Sequence, residues 1–273
     1  MLDVLLDSIL DTIKLLPFLY LAFLLIEYIE HKLKNKKILK EAGKFGPFWG
    51  AILGGIPQCG FAASATSLYI TRIISLGTLI AVYLSTSDEM LPIMLSEKVP
   101  FSFAIKVVLL KVLIGMLFGF IIDLIYHKVN KANYSLCQEE KCHCDTENIF
   151  LSSLKHTFNI ALFILIFNII LNALFHFGGE DFLSGLLLKN TIFGSFITAL
   201  IGLIPNCGAS VIITELYINN AITLGALIGG LLTGSGIALV ILFKQNKNMK
   251  ENLTILSLVY LIGSFVGLLI DLF

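Results

Sequence analysis

Ile56-Pro57-Gln58-Cys59-Gly60 returns as Ile204-Pro205-Asn206-Cys207-Gly208, and the 148-residue register between the copies holds without insertion from Gly46 to Leu124. Within that register Gly54 matches Gly202, Leu68-Tyr69-Ile70 matches Leu216-Tyr217-Ile218, and Leu76-Gly77 matches Leu224-Gly225. Ser87 matches Ser235, Gly115 and Gly119 match Gly263 and Gly267, and Asp123 matches Asp271. Self-similarity at one fixed period marks a duplicated structural unit. Whatever fold one half adopts, the other half must therefore adopt too. The most distinctive shared element is the Pro-(Gln/Asn)-Cys-Gly break.

The duplicated unit is strongly apolar. Of 273 residues, 57% are hydrophobic and 14% charged, and the mean hydropathy is +0.90. A soluble domain is nearer half apolar and a quarter charged, so a membrane protein is expected. The formal net charge is zero, which implies no bulk attraction to nucleic acid. Asp3, Asp7 and Asp11 lie where a signal peptide needs Lys or Arg, so the first apolar segment is expected to be retained.

The apolar segments run Leu5–Ile29, Phe45–Tyr69, Ser75–Leu95 and Phe101–Tyr126, then Phe158–Phe177, Thr191–Ile218, Thr223–Phe243 and Leu253–Phe273. Phe45–Tyr69 is interrupted by Pro57, leaving halves of about 12 residues that reach roughly 18 Å as helix, short of the ~30 Å hydrocarbon core. Ser75–Leu95 is read as one full-length segment carrying Ser85, Thr86, Ser87, Asp88 and Glu89 at its centre. The expected organisation is a first membrane repeat (1–126), a cytoplasmic Cys/His-containing linker (127–156) and a second membrane repeat (157–273).

Lysine placement bears on topology. The loop Lys32–Lys44 is basic and its repeat-two equivalent around Gly178–Asn190 is not, whereas Lys244–Lys250 is more basic than Ser96–Pro100. Positive loops stay cytoplasmic, so matched positions carry opposite bias, as an inverted repeat requires. If each Pro-containing segment is a re-entrant hairpin, each repeat crosses three times and the halves invert. If it is one kinked span, each crosses four times and they are parallel. The charge pattern favours the hairpin, with the Cys-rich loop cytoplasmic. The fold expected is an all-α polytopic membrane protein of two five-segment inverted repeats, each with a broken or re-entrant helical hairpin.

In that arrangement both hairpin tips meet near the midplane, where non-helical backbone is tolerated only when buried or lining a wet cavity. Pro57 and Pro205 lack an N–H, and Gly60 and Gly208 are expected to relieve the turn. The tips present carbonyls, the amides of Gln58 and Asn206 and the thiols of Cys59 and Cys207. The alternative is a pair of helix kinks with buried structural cysteines. Asp88 and Glu89 are the strongest single signal, since intramembrane acids mark ion pathways or proton relays; if their segment is interfacial instead, they are solvated. Their counterparts are Gly236 and Ile237, so the acids are not duplicated, while Ser87 and Ser235 are. Glu215 is either a second cation site or interfacial. Asp123 and Asp271 are read as boundary residues, and Lys106 and Lys111 receive no role.

Five cysteines are an odd number for a disulfide framework and point to thiol or metal chemistry. Cys137, Cys142, His143 and Cys144 cluster in the central loop as ligands suited to soft or borderline metals, unless they are incidental. No ATP-binding motif and no nucleophile–base constellation is present, so the chain is read as a non-enzyme whose transport is driven by a gradient or a separate partner.

These residues resemble a known family. The two Pro-(Gln/Asn)-Cys-Gly hairpins, the Ser85–Glu89 stretch and the Cys/His-bearing loop look like the ten-segment heavy-metal exporters, the arsenic-permease-like proteins labelled arsenic efflux or manganese transporter. The resemblance implies efflux across a prokaryotic plasma membrane. No resident cofactor is expected beyond a transported or loop-bound metal ion. The partners expected are the lipid bilayer and a metal or metalloid ion, with no nucleic acid; a homodimer is compatible. Cys59, Cys207, Asp88 and Glu89 are the candidate metal ligands, alongside Pro57, Gln58, Gly60, Ser87, Pro205, Asn206, Gly208 and Ser235 in the substrate site. Thiols favour arsenite-like cargo and carboxylates Mn²⁺-like cargo. The rival is a carrier of a small organic solute or anion.

Overall fold

The computed structural model describes residues 45–56, 59–87, 90–126, 149–178 and 194–272, with Ile9, Thr12, Ile13, Leu16, Pro17, Leu19, Tyr20, Leu21, Phe23 and Leu24 before them. All regular structure among these residues is helical. In the first repeat the helices are α1 (Gly46–Gly54), α2 (Cys59–Ile70), α3 (Leu76–Ser85), α4 (Met90–Ser96) and α5 (Phe101–Ile125). Helix α6 (Ile149–Gly178) leads into α7 (Gly194–Gly202), α8 (Cys207–Ile218), α9 (Leu224–Thr233), α10 (Ala238–Gln245) and α11 (Met249–Leu272). Shifted by the sequence register, α1–α5 fall on α7–α11 with every end matching to within one residue. The duplication is thus structural as well as sequential.

One sequence expectation is corrected. Ser75–Leu95 is not a continuous segment: α3 stops at Ser85, residues 86–87 leave the helix, and α4 begins at Met90. The second repeat breaks at the same place, between Thr233 and Ala238. The physical reason is a run of hydroxyls that bond backward. Ser85 Oγ donates to Ala81 O at 2.8 Å, Thr86 Oγ1 to Val82 O at 2.7 Å and Ser87 Oγ to Ser85 O at 3.0 Å. Such local bonds compete with the helical ladder. In repeat two Gly236, at φ 53°, supplies the left-handed step.

Three described segments are long and apolar enough to cross a membrane: Phe101–Ile125, Leu224–Gln245 (taken through its break) and Met249–Leu272. Along α5 the residues at Phe101, Leu109, Leu113, Leu117 and Leu124 are exposed, whereas Ala104, Val107, Lys111, Gly115, Gly119 and Ile122 are buried. An apolar outer face and a small-residue inner face is the reverse of a soluble helix, and it suits contact with lipid. The chain is a multi-pass membrane protein.

Helices α1, α3 and α5 form a tight layer. Gly46, Gly50 and Gly54 face Thr78, Val82 and Ser85 in that order, so α1 runs parallel to α3. Gly77 meets Gly119, and Gly115 meets Ala81 and Ser85, so α3 runs antiparallel to α5. Helices α7, α9 and α11 repeat this layer, with Thr198 and Thr233 donating to Ala226 O at 2.7 Å and Ala199 O at 2.8 Å. Between repeats the packing is reciprocal: α2 lies on α10 and its counterpart α8 lies on α4, while α3 meets its own counterpart α9. Exchange of matched partners is the mark of two units related by a two-fold.

Asp123 and Asp271 do more than mark boundaries. Asp123 accepts from Gly77 N at 2.8 Å and from Ser75 Oγ at 2.6 Å, at the N-terminus of α3. Asp271 accepts from Gly225 N at 2.8 Å, Thr223 Oγ1 at 2.8 Å and Ser195 Oγ at 3.0 Å, at the N-terminus of α9. Each carboxylate therefore satisfies one orphan N–H group and the positive end of a helix from the far end of another.

Where the repeats meet at their ends, the two matched contacts differ in chemistry. Arg72 holds Glu251 through two bonds, 2.6 and 2.8 Å, and Tyr69 also donates to Glu251. The equivalent pair, Tyr217 and Phe103, is an aromatic stack with centroids 5.7 Å apart. Arg72 and Glu251 are only 19% and 18% exposed, so Glu251→Ala leaves the guanidinium and the phenol short of their acceptor. We expect a loss of about 1.5–3 kcal/mol, read as a lower thermal midpoint of the detergent-solubilised protein. An unchanged midpoint would show that this bidentate pair carries no net stability.

Candidate functional site

The site forms where helices stop. In repeat two α7 ends at Gly202, and Leu203 and Ile204 donate to Leu200 O and Ile201 O in a tightened last turn. Pro205, with no N–H to offer, follows. Asn206 then takes an extended backbone (φ −142°, ψ 145°), and its Oδ1 accepts from Gly208 N at 3.1 Å, capping α8. The Asn of the motif is thus a helix cap, itself 7% exposed.

This corrects the expected role of Gly208. It sits in the first turn of α8, and a Cβ there would find its nearest neighbour 3.8 Å away. Neither backbone strain nor crowding demands glycine. The turn is made by Pro205 and the Asn206 cap.

A small cavity lies at the junction of the repeats. Thr86, Ser87, Met90 and Lys111 line it from repeat one, and Asn206, Ser210, Leu231, Gly234 and Gly236 from repeat two. It has room for no more than about one water-sized particle. The α3–α4 break, the α9–α10 break and the N-terminus of α8 therefore open onto one point within the apolar core. Non-helical backbone in such a place is expected only where it is buried in protein or lines a cavity.

Of the residues read from sequence, Ser87 and Asn206 line this cavity, and Ser235 is buried between the lining residues Gly234 and Gly236. Pro205 and Gly208 are half-buried and Gly60 is buried, but none of the three lines it. Glu215 is exposed on α8. Pro57, Gln58, Asp88, Glu89, Cys137, Cys142, His143 and Cys144 lie outside the described residues, as do the side chains of Cys59 and Cys207. Among the described residues no three His, Cys, Asp or Glu side chains gather into a metal-binding group.

Sequence reasoning missed Lys111. It is 1% exposed, and its Nζ donates to the backbone carbonyl of Thr86, the residue that caps the C-terminus of α3. A cation there meets the negative end of a helix and satisfies one of its last carbonyls. The signal was present: Lys111 stands four and eight residues before Gly115 and Gly119, on the same helical face as the duplicated glycines. A face that must pack closely carries its lysine inward too.

Compared with known families, the chain matches the one described as "Putative, 10TM heavy-metal exporter", over residues 1–180 and 145–273. Together the two matches span the whole chain. It belongs to that family. The family's ten spans fit a duplicated unit whose described elements are all helical, and export is transport rather than an enzymatic reaction. Neither the curated proteins nor the solved structures yielded a match.

Proposed function

We propose that this member of the family is a gradient-driven exporter of a metal or metalloid ion, with its transport site at the cavity between the repeats. The observation that carries the reading is the meeting of Ser87 and Asn206. They come from different repeats and different motifs, and both line one small opening at helix breaks. Broken helices framing a substrate site between repeats are the recurring device of secondary transporters.

Asp88 and Glu89 follow Ser87 in sequence and supply the carboxylates; Gln58, Cys59 and Cys207 supply the amide and thiols of the paired motifs. The inverted, hairpin form of the repeats is supported by the parallel course of α1 and α3, by the five-residue turn joining α2 to α3, and by the mirrored lysine bias. The Cys137–Cys144 cluster serves as a cytoplasmic capture loop in a prokaryotic plasma membrane.

The test is a thermal-shift panel on the purified full chain with Mn²⁺, Zn²⁺, Cd²⁺, Cu⁺, arsenite and small organic solutes. At least one inorganic species should raise the midpoint in a concentration-dependent way. Stabilisation by organic anions alone would transfer the site to the rival reading, an organic-anion carrier. One observation favours that rival: the Lys111 ammonium and the capped N-terminus of α8 both bring positive character to the cavity.

A further inference from the structure

Arg72 is the only arginine in the chain, and it holds a left-handed backbone conformation at φ 60°. Its register twin, Asn220, sits at φ 55°. Asparagine tolerates that conformation and arginine does so poorly, so the turn itself gives no reason for arginine. What Arg72 brings is its guanidinium. Across the repeat interface that group holds Glu251 through a fork of two bonds, 2.6 and 2.8 Å, and lies 5.0 Å from the ring centre of Tyr69, whose hydroxyl donates to the same carboxylate. The matched positions hold Asn220, Phe103 and Tyr217, and the tie there is an aromatic stack. The surroundings differ as well. Gln245 is 8% exposed, and neither its Nε2 nor its Oε1 has a partner among the described residues; Asn252, fully buried beside Glu251, has its Oδ1 in the same condition. Buried amides of this kind call for water. Their twins are Glu97, which is exposed, and Ala104, which is apolar. One end of the interface is thus polar inside and the other is not.

The two contacts flank the cavity. Helices α3 and α9 each have ten residues and so run about 15 Å, and the residues just past their C-termini, Thr86 and Gly234, both line it. Arg72 precedes the N-terminus of α3 and Tyr217 that of α9. Clamp and stack therefore lie at the far ends of the two helices whose near ends form the cavity. We propose that the Arg72–Glu251–Tyr69 clamp and the Phe103–Tyr217 stack are the two gates of the transport cavity, the first opened by hydration and the second by parting of an apolar contact. The inference rests on the reading of the chain as an exporter with inverted repeats and adds to it the residues that seal each side. On that reading the two ends face opposite sides of the membrane and open in alternation. Opening the clamp exposes a guanidinium, a carboxylate and amides, all of which water solvates. Opening the stack exposes aromatic surface, which water disfavours. The empty carrier thus opens at the clamp and holds at the stack. The lysine bias puts the clamp, next to Lys247 and Lys250, on the cytoplasmic side, where an exporter loads.

The test is hydrogen–deuterium exchange on the purified full chain and on Glu251→Gln, Arg72→Lys and Phe103→Ala, with no cargo added. Glu251→Gln should raise exchange around the cavity, at residues 86–90 and 206–210, by about tenfold or more, while residues 97–104 and 217–223 at the stack stay within about twofold of the natural protein. Arg72→Lys keeps the charge but loses the fork, and should give a smaller rise of about threefold at the same cavity residues. Phe103→Ala, or Phe103→Leu where the alanine variant does not fold, should raise exchange at the cavity and at 217–223 and leave 245–252 unchanged. A rise in the clamp variants confined to residues 69–76 and 245–252, or no rise at all, overturns the proposal and makes the clamp a structural tie. Failure of both Glu251→Gln and Arg72→Lys to fold has the same meaning. An equal rise at both ends also overturns it, since that is general loosening rather than the opening of one gate. A stack variant that leaves the cavity unchanged removes Phe103 and Tyr217 as the second gate. No metal enters the measurement, so failure of the gates is distinct from failure of the metal-ion reading, which the thermal-shift panel decides.

Discussion

Gly77→Ala and Gly225→Ala are each expected to destabilise the protein by about 3 kcal/mol or more, seen as a large fall in thermal midpoint or as failure to accumulate folded protein. A Cβ at Gly77 would lie 2.1 Å from Gly119 O and 2.5 Å from Asp123 Cγ, and one at Gly225 2.1 Å from Gly267 O and 2.4 Å from Asp271 Cγ. Neither neighbour can retreat cheaply. The carbonyl belongs to the backbone of a long helix, and the carboxylate is held by two or three hydrogen bonds that cap α3 or α9. Relief of the clash separates Asp from Gly and loses charge-assisted bonds, while leaving the clash in place distorts a helix–helix contact that exists because both partners are glycine. Gly208→Ala is the internal control. Its nearest neighbour lies 3.8 Å away, so it should stay within about 0.5 kcal/mol, although Gly208 sits in the most conspicuous motif of the chain. A Gly208→Ala protein less stable than Gly225→Ala would contradict this account of the packing.

On the proposed reading, the largest functional effect belongs to the acids. Asp88→Asn combined with Glu89→Gln should lower metal affinity by more than about a hundredfold, since changes around a metal's ligands alone cost 10–100-fold. Export should be lost, with the thermal midpoint of the metal-free protein little changed. The comparison with Cys59→Ser plus Cys207→Ser decides the kind of cargo. Loss with the acids and retention with the serines marks an Mn²⁺-like ion held by oxygen; the reverse marks an arsenite-like or soft ion held by thiolates. Full export by the acid variant would remove Asp88 and Glu89 from the pathway.

Much of the architecture is legible in the sequence. The 148-residue register anticipated that each helix of one repeat would have a twin, and the Pro-amide-Cys-Gly motif located one helix break in each. Ser87 and Asn206, from two motifs in different repeats, line a common cavity. The second break is not legible in the sequence. Ser85, Thr86 and Ser87 are plainly polar, but hydropathy averaged over a span cannot register that their hydroxyls bond back to α3 and end it. Gly208 was overvalued for a related reason, because a glycine beside a proline suggests a strained turn, whereas an asparagine cap makes the turn with ordinary backbone.

The roles of Asp123, Asp271 and Lys111 show where sequence stops. All three lie at positions fixed by helical periodicity, and the face each occupies could be read from the spacing to Gly115, Gly119, Gly263 and Gly267. What each one touches could not. Asp123 caps a helix that begins 47 residues earlier in the chain, and Lys111 binds a carbonyl exposed only because α3 ends at Ser85. By itself the sequence determined the duplication, the membrane class, the helix boundaries set by Pro and Gly, and the inward face of each long helix, because those depend on local sterics and on apolar periodicity. Only the tertiary structure decided which helix ends converge, which carboxylates act as caps and which carbonyl the buried Lys111 ammonium reaches, because those depend on contacts between segments far apart in the chain.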